Sequence, residues 1–114
     1  MMLLTQAHKM KLIDNHIVNA HTGEDACQSA NVVVHLFNPD GRGDWYLSEL
    51  DPVSGNMFGI CCISYAEYGN VNIADFEKLN RSKRLGIERD YHFPINKHSM
   101  EWCMDYAKQH KGYE

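Results

Sequence analysis

The first apolar pattern in the chain has the period of a helix. Apolar side chains recur at intervals of three and four residues, which places them on one helical face. The positions with this spacing are Ala7, Met10, Ile13 and Ile17. Thr5 precedes them and is a favourable N-cap residue. The pattern therefore predicts a helix over residues 6–19, followed by a small and polar linker over residues 23–30.

Runs of β-branched and alternating residues predict strands in the middle of the chain. The predicted strands cover residues 31–37, 45–50, 57–63, 71–73 and 87–93. Sequential strands usually pair, so the first three should form an antiparallel meander, with a loop over residues 65–70. Alternation along the second strand puts Trp45 and Glu49 on one face and Leu50 on the other.

Two further helices are predicted towards the C-terminus. Residues 75–82 have an acidic start and a basic end, which suits the helix dipole. Residues 99–109 begin with Ser99, a good cap. The expected fold is α+β, a single domain over residues 1–114. A small antiparallel sheet of about four or five strands is flanked by an N-terminal helix, a short middle helix and a C-terminal helix.

Composition agrees with a folded cytoplasmic domain. The 114 residues are 44% hydrophobic and 23% charged, which is too apolar for disorder. No apolar run approaches the roughly 20 residues that span a bilayer. Residues 1–11 carry lysines and a histidine where a signal peptide would be apolar. We therefore expect no membrane association.

The charge balance disfavours direct nucleic-acid binding. The formal net charge is −4 with the histidines neutral, so the average field repels phosphate. The densest basic stretch contains Arg81, Lys83 and Arg84, and it lies at the end of a predicted helix. Cations are favoured there by the helix dipole alone.

The cysteines and histidines do not have the spacing of a metal site. Structural zinc ligands usually come in pairs two to four residues apart, and the chain has no C-x-x-C or H-E-x-x-H. Four scattered cysteines, the adjacent Cys61 and Cys62 among them, are interpreted as reduced thiols. Neither a metal nor a cofactor is expected.

Two thiol and imidazole pairings remain open as a nucleophile and its base. One is Cys103 with His98 or His110, and the other is Cys62 with His35. Burial of the thiols as small core residues is the favoured alternative, and no catalytic residue is assigned.

Two charged residues interrupt predicted apolar strand faces. Arg89 shares a face with Ile87 and Phe93, and Glu49 shares a face with Trp45. An isolated buried charge is costly, so an internal Arg89–Glu49 ion pair is the favoured interpretation. A ligand or partner site is the alternative.

Acidic and aromatic residues of the first hairpin and the last strand form the candidate partner-binding surface. Its residues are Asp40, Arg42, Asp44, Trp45, Glu49, Asp51, Glu88, Arg89 and Asp90. A solvated rim of no function is the alternative interpretation of the same carboxylates.

Several motifs together are characteristic. The most specific are WYLSELDP at residues 45–52 and GIERD at residues 86–90, with MFGICCIS and YGNVNIADFEKL between them. In their order and content the chain resembles the family called domain of unknown function 2958, over residues 1–106. The resemblance implies a small protein carried by phages, plasmids or other bacterial mobile elements, without an established enzymatic activity. Ala74 departs from the family pattern, in which a capping serine is usual, so the middle helix is expected to lack a side-chain acceptor at its start.

The favoured function is a non-enzymatic binding module. It would present acidic and aromatic surface to a host or element-encoded protein, and its specific form would be an inhibitor of a nucleic-acid-targeting defence system, of the anti-CRISPR or anti-restriction type. The oligomeric state is left open.

Two alternatives belong to other classes. One is a metal-dependent hydrolase that uses Glu49, Asp51 and Asp90 with His92 as the acid or base. The other is a nucleic-acid-binding accessory domain that uses the basic stretch around Lys83 with Arg89.

Overall fold

The computed structural model describes residues 3–22, 31–81 and 86–114. Within these ranges lie three helices and seven strands. The helices are α1 (Gln6–Thr22), α2 (Ile73–Arg81) and α3 (Met100–His110), and the strands are β1 (Asn31–Val32), β2 (Val34–Phe37), β3 (Asp44–Leu50), β4 (Asn56–Cys62), β5 (Ala66–Asn72), β6 (Glu88–Arg89) and β7 (His98–Ser99). No helix in the described ranges is long and apolar enough to cross a membrane.

The main sheet is antiparallel and follows the chain for most of its width. Its strand order is β5-β4-β3-β2-β6, so β2 to β5 form a sequential meander and β6 returns beside β2. A second sheet pairs β1 with β7, with Asn31 opposite Ser99. The predicted α+β class, the sheet and the three flanking helices are confirmed.

Helices cover both faces of the main sheet, and each face has its own apolar core. Leu12 of α1 and Phe76 of α2 pack with Trp45, Leu47 and other residues in the first cluster. On the other face, α3 contributes Met100, Cys103 and Ala107, which pack against Tyr46, Ile60 and Cys62. The result is a three-layer α/β/α arrangement with the sheet in the middle.

A full strand replaces the loop that was predicted over residues 65–70. β5 pairs with β4 along its whole length, from Asn56 opposite Asn72 to Cys62 opposite Ala66. Glutamate, glycine and asparagine in β5 give it a low strand propensity, which hides it in the sequence. Pairing with the apolar strand β4 determines the conformation of β5, because intrinsic strand propensity is a weaker influence in a sheet than packing against neighbouring strands.

A β-bulge at Ser48 changes the face on which later residues of β3 lie. The register passes from Leu47 opposite Gly59 to Glu49 opposite Phe58, so Ser48 is the extra residue. Leu50 consequently packs in the first cluster with Trp45, and the predicted alternation is wrong beyond the bulge. Asn15 of α1 donates from Nδ2 to the Ser48 carbonyl over 2.9 Å.

The strand predicted over residues 87–93 is short and ends in a turn. Only Glu88 and Arg89 pair with β2. The Asp90 side chain then accepts from the His92 backbone N–H over 2.9 Å, and the Asp90 carbonyl accepts from Phe93 N–H. Because the chain turns here, Ile87 packs in the first cluster whereas Phe93 packs against the second.

The helix starts are held by side-chain acceptors. Thr5 Oγ1 accepts from the His8 backbone N–H over 3.2 Å, which confirms the predicted cap of α1. Among the described side chains of α1, Leu12 and Asn19 are buried, whereas Ala7, Met10 and Ile17 are exposed, so the predicted apolar face does not face the core at those three positions. At α2, Asn72 Oδ1 accepts from Ala74 N–H over 2.9 Å, so a side chain outside the expected position supplies the cap.

Ser99 caps α3 as predicted, and it should contribute measurably to stability. Its hydroxyl accepts from Trp102 N–H over 3.1 Å. The Ser99→Ala variant is expected to lower the free energy of unfolding by about 1 kcal/mol, because it leaves that N–H without a partner. Urea unfolding measures the change, with the exposed Ser64→Ala as the control. Equal stability of the two variants would contradict a capping role.

Candidate functional site

A buried ionic cluster joins β2, β3, the turn after β6 and the C-terminal residues. His35 of β2 is 4% exposed and Asp44 of β3 is 5% exposed. His35 Nε2 lies 2.6 Å from Asp44 Oδ1, and Nδ1 lies 3.0 Å from Asp90 Oδ2. An ionised carboxylate only accepts hydrogen bonds, so a ring nitrogen of His35 that carries a proton donates it to the carboxylate that it faces.

Asp44 also binds the C-terminal residues. The Tyr113 hydroxyl donates to Asp44 Oδ2 over 2.7 Å and accepts from Gly43 N–H over 3.0 Å. The Lys111 ammonium lies 3.2 Å from Asp44 Oδ1. We call His35, Asp44, Asp90, Lys111 and Tyr113 the ionic cluster. Within it, two carboxylates face one ammonium group and one imidazole ring.

The partners of the two carboxylates outweigh their burial. Burial raises the pKa of Asp44, but hydrogen bonds from His35 and Tyr113 and the charges of His35 and Lys111 bring it below its ordinary value. Burial also raises the pKa of Asp90, and hydrogen bonds from His35 and the His92 backbone bring it below the ordinary value as well. Both carboxylates are therefore ionised at neutral pH.

These shifts predict a loss of stability in acid. A carboxyl whose pKa is lower in the folded state releases its proton more readily there, so the unfolded state binds more protons and stability rises with pH. The stabilising contribution of Asp44 and Asp90 is present above pH 3.8, the ordinary pKa of an aspartate carboxyl. It is lost as the pH falls through their lowered pKa values.

Unfolding free energies measured between about pH 5 and about pH 2 should fall steeply for the wild type. They should fall less steeply for Asp90→Asn, which removes one of the two carboxyls of the ionic cluster whose pKa is lowered. If the unfolding free energies of the wild type and Asp90→Asn fell equally with pH, the lowered pKa of Asp90 would be contradicted.

The hydrogen bonds of the ionic cluster connect four parts of the fold, and they engage the groups that could otherwise act as a base or a nucleophile's partner. Both nitrogens of His35 are engaged, so the ring has no free lone pair to act as a base. Cys62 and Cys103 are fully buried, and burial raises the pKa of each thiol to about 12. The open pairings of those thiols with His35, His98 or His110 therefore lack a reactive thiolate.

The residues of the hydrolase alternative do not come together. Glu49 is 3.4 Å from His16, whereas Asp90 binds His35 on the neighbouring strand. Asp51 accepts from Val53 N–H within its own turn. In the described part of the chain, no group of three or more histidine, cysteine, aspartate or glutamate residues could hold a metal ion.

An aromatic ridge runs along the exposed flank of α3. Four rings at four-residue spacing are in contact in sequence, the first three stacked and the last one tilted, and the ridge consists of His98, Trp102, Tyr106 and His110. The His98 and Trp102 rings are 3.7 Å apart and 9° from parallel, and the Trp102 and Tyr106 rings are 5.2 Å apart and 16° from parallel. Trp102 is 44% exposed and Tyr106 is 37% exposed.

A cleft of about 210 Å³ lies between the ridge and the ionic cluster. His35, Tyr46, Phe93, Trp102 and Tyr106 supply its aromatic walls. Its polar lining comes from Asp90, His92, His98 and Lys111. Tyr46 stacks on His35, with ring centroids 4.4 Å apart and planes 3° from parallel, and burial raises its pKa. The ionic cluster therefore fixes one wall of the cleft and α3 fixes the other.

A shallower depression of about 110 Å³ lies on the ridge itself. Its lining consists of Trp102, Asp105, Tyr106, Gln109 and His110. The exposed ring edges of Trp102 and Tyr106 are thus accessible from both the cleft and this depression.

Three of the residues predicted for the partner-binding surface are core residues. Asp44 belongs to the ionic cluster, and Trp45 is 8% exposed and meets Phe76 edge-on at 5.2 Å. Glu49 is 6% exposed and faces α1. Because β3 is central and both sheet faces are covered, the three side chains are largely buried.

The predicted Arg89–Glu49 pair is wrong. Arg89 donates to the Leu3 carbonyl over 2.8 Å and lies over the Tyr91 ring at 4.9 Å. Glu49 lies 3.4 Å from His16. Arg89 pairs with Leu36 on one side of β2 and Trp45 pairs with Leu36 on the other, so Arg89 is separated from β3 by a whole strand and is level with a residue four positions before Glu49. Each charge has its own partner at a different place on the sheet.

The other predicted surface residues lie apart from one another. Asp40 and Arg42 are exposed in the β2–β3 turn, where Arg42 Nε donates to the Ile63 carbonyl and its guanidinium lies over Tyr113. Asp51 is in the next turn, at the opposite end of β3. Glu88 is half-buried in β6. Of the nine residues predicted for the partner-binding surface, only Asp90 lines the cleft.

The sequence does contain a signal for the ridge. Aromatic rings at residues 98, 102, 106 and 110 repeat every fourth position, and such residues are neighbours along a helix. The ionic cluster has no comparable signal, because Asp90 and Tyr113 are distant in sequence from His35 and Asp44. The basic residues Lys83 and Arg84 lie outside the described residues, and of Arg81 only the backbone is described.

Comparison with known proteins gives one match. The model of the family described as protein of unknown function (DUF2958) matches residues 3–112, which is nearly the whole chain. No curated protein matches, and no solved structure matches. The resemblance found in the motifs is thereby confirmed, and the chain belongs to the family of proteins of unknown function DUF2958.

Proposed function

We propose that this chain is a non-enzymatic accessory protein of a phage or plasmid, and that it acts in the bacterial cytoplasm by binding a protein of the host or the element. The partner in this proposal belongs to a nucleic-acid-targeting defence system. The observation that carries the binding role is the aromatic ridge of α3, with Trp102 and Tyr106 exposed beside a preformed cleft.

The composition and rigidity of the ridge favour protein binding. Tryptophan and tyrosine are over-represented among the residues that dominate binding energy at protein interfaces. The rings of the ridge are already stacked on one another, so little conformational freedom remains to be lost when a partner covers them.

The same stacking makes the ridge a poor platform for nucleic acid. Single-stranded nucleic acids bind by laying bases on free aromatic faces within a positively charged groove. Here Trp102 stacks with both His98 and Tyr106, so neighbouring rings already take up part of the surface on which a base would stack. The formal net charge of −4 also opposes phosphate binding.

The acidic balance suits a basic partner. Glu101 and Asp105 are exposed on α3. Burial is the largest cause of the raised pKa of Tyr68 on the adjacent strand, and the negative charges of Glu101 and Asp105 raise it further. Proteins that handle nucleic acid present positively charged surfaces, and complementary charge accelerates association and selects partners. This supports the choice of a nucleic-acid-handling target.

Site-specific photo-crosslinking in the bacterial host would test the proposal. A photo-reactive amino acid at Trp102 is expected to capture a defence-system protein that mass spectrometry identifies. The same amino acid at Met10, which is 58% exposed on the opposite side of the sheet, serves as the control and should not capture it. The captured protein is then purified and its binding to the wild-type chain is measured.

Two results would count against the proposal. One is capture of the same proteins from both positions, and the other is a captured protein that does not bind the purified chain.

A further inference from the structure

We infer that the cleft beside α3 is the receptor for one aromatic side chain of the partner, whose ring face is seated against the exposed edges of Trp102 and Tyr106. The inference rests on the proposed function, because it names the chemistry that the ridge would recognise in its partner. The ring stacking, the shape of the cleft and its charge balance each support it.

The stacked ridge presents ring edges to the partner. His98 and Tyr106 stack against Trp102 from its N-terminal and C-terminal sides, with ring planes within 16° of parallel in both pairs. The exposed part of Trp102 therefore includes its edge. Aromatic edges are electropositive and aromatic faces are electronegative, so an edge attracts the face of another ring and repels a cation.

This geometry distinguishes the aromatic occupant from a basic one. A guanidinium or ammonium group gains from an aromatic ring only over its face. Neighbouring rings of the ridge already occupy part of those faces, so an arginine or lysine of the partner gains less from Trp102 than from a free ring. Acidic residues elsewhere on α3 are free to serve the basic surface around such an anchor.

The cleft has the lining that an inserted ring requires. Phe93, Tyr46 and the Trp102–Tyr106 side of the ridge give it aromatic walls, and its volume is about 210 Å³. Ligand pockets are typically apolar with a few oriented polar groups. In this cleft those groups are Asp90 and Lys111.

The charged side chains in the wall of the cleft already have partners within the chain, so they do not require a bound ion. The Lys111 ammonium is matched by Asp44 at 3.2 Å, and Asp90 is matched by His35 at 3.0 Å. A neutral ring therefore fits the floor of the cleft better than an anion or a cation. The two carboxylates and the imidazole ring are held by hydrogen bonds, so the wall does not need to reorganise on binding.

The chain contains a built-in internal control for testing this inference. Its two tryptophans have side-chain N–H groups that give separate NMR signals. Trp102 is on the ridge, and Trp45 is buried in the core on the opposite face of the sheet. Titration of the folded chain with N-acetyl-phenylalaninamide is expected to shift the Trp102 signal and not the Trp45 signal, with millimolar affinity.

Two further probes and two variants complete the experiment. Argininamide and a thymidine oligonucleotide should shift the Trp102 signal less than the phenylalanine amide does. The shift of the Phe93 ring signals reports the same binding in variants without Trp102. In Trp102→Leu the affinity should fall by about three- to tenfold, the loss expected for one edge-to-face pair. Met10→Leu should leave it unchanged.

Each outcome separates the inference from the proposed function. Stronger binding of argininamide or of the oligonucleotide at Trp102, or no shift with any probe, overturns the aromatic anchor even if crosslinking captures a partner. Selective binding of the phenylalanine amide supports the anchor, and it does so independently of whether the captured protein belongs to a defence system.

Discussion

The Asp44→Ala variant is expected to lose about 3–5 kcal/mol of unfolding free energy, because removing one partner of a buried ion pair leaves the other charge uncompensated. Asp44 is 5% exposed and holds three groups at once, namely His35, Lys111 and the Tyr113 hydroxyl. The substitution leaves the His35 Nε2–H buried without an acceptor. Typical domains are stable by about 5–15 kcal/mol, so this variant approaches the limit of folding.

Denaturant unfolding followed by circular dichroism measures this loss. Asp40→Ala is the matched control, since Asp40 is an exposed aspartate in the adjacent turn and should change stability by less than about 0.5 kcal/mol. If Asp44→Ala does not fold, Tyr113→Phe tests the same cluster. It removes one donor and should cost about 1–3 kcal/mol, because Gly43 N–H loses its acceptor. An Asp44→Ala loss below about 1 kcal/mol would show that the cluster is dispensable.

The second large effect is expected at Gly59, where β3 and β4 approach too closely for a side chain. A Cβ atom at Gly59 would overlap the Tyr46 carbonyl oxygen and lie 2.8 Å from Leu47 Cα. These are backbone atoms of the bulged strand, so they cannot rotate away. The strands would have to separate, and we expect Gly59→Ala to cost more than about 3 kcal/mol or to prevent folding.

The neighbouring strand supplies a matched control. Gly69 lies directly opposite Gly59 in the β4–β5 register. A Cβ atom at Gly69 meets only the Cys61 Sγ atom, at an ordinary contact distance of 3.7 Å. Gly69→Ala should therefore change stability by less than about 1 kcal/mol. Thermal unfolding of both variants decides the matter, and similar melting temperatures would contradict the close approach at Gly59.

The sequence predicts the elements of this fold much better than the residues that work together. Residues 6–19 and 99–109 were predicted as helices, with Thr5 and Ser99 as caps, and both caps are present. These signals are local, because the apolar periodicity of a helix and its capping residue lie within one turn of each other in the sequence. β5 was missed because its pairing with β4, and no local propensity, makes it a strand.

Burial was the property that the sequence predicted least well. Alternation along β3 failed at Ser48, where one extra residue moved Leu50 to the other face. The central position of β3, with helices on both sides, buried Asp44, Trp45 and Glu49 together. A strand that is covered on both faces does not follow the simple alternation of polar and apolar residues.

The site was predicted only in part, for a similar physical reason. Asp90 was selected, and it lines the cleft, but its partner His35 is 55 residues away in the sequence. The ridge was available in the sequence as a four-residue repeat of aromatic rings. Its exposure follows from which flank of α3 packs on the sheet through Met100, Cys103 and Ala107. Periodicity alone does not distinguish a buried aromatic flank from an exposed one.

The affinity of the chain for its crosslinked and purified partner is the most direct test of the aromatic ridge as the working surface. Calorimetry would compare the wild type with Trp102→Ala and with Met10→Ala. Truncation of a central interface residue commonly costs 2 kcal/mol or more, which is roughly thirtyfold in affinity. We expect at least that loss for Trp102→Ala and no change for Met10→Ala. Equal affinities of all three proteins would contradict the assignment of the ridge as the binding surface.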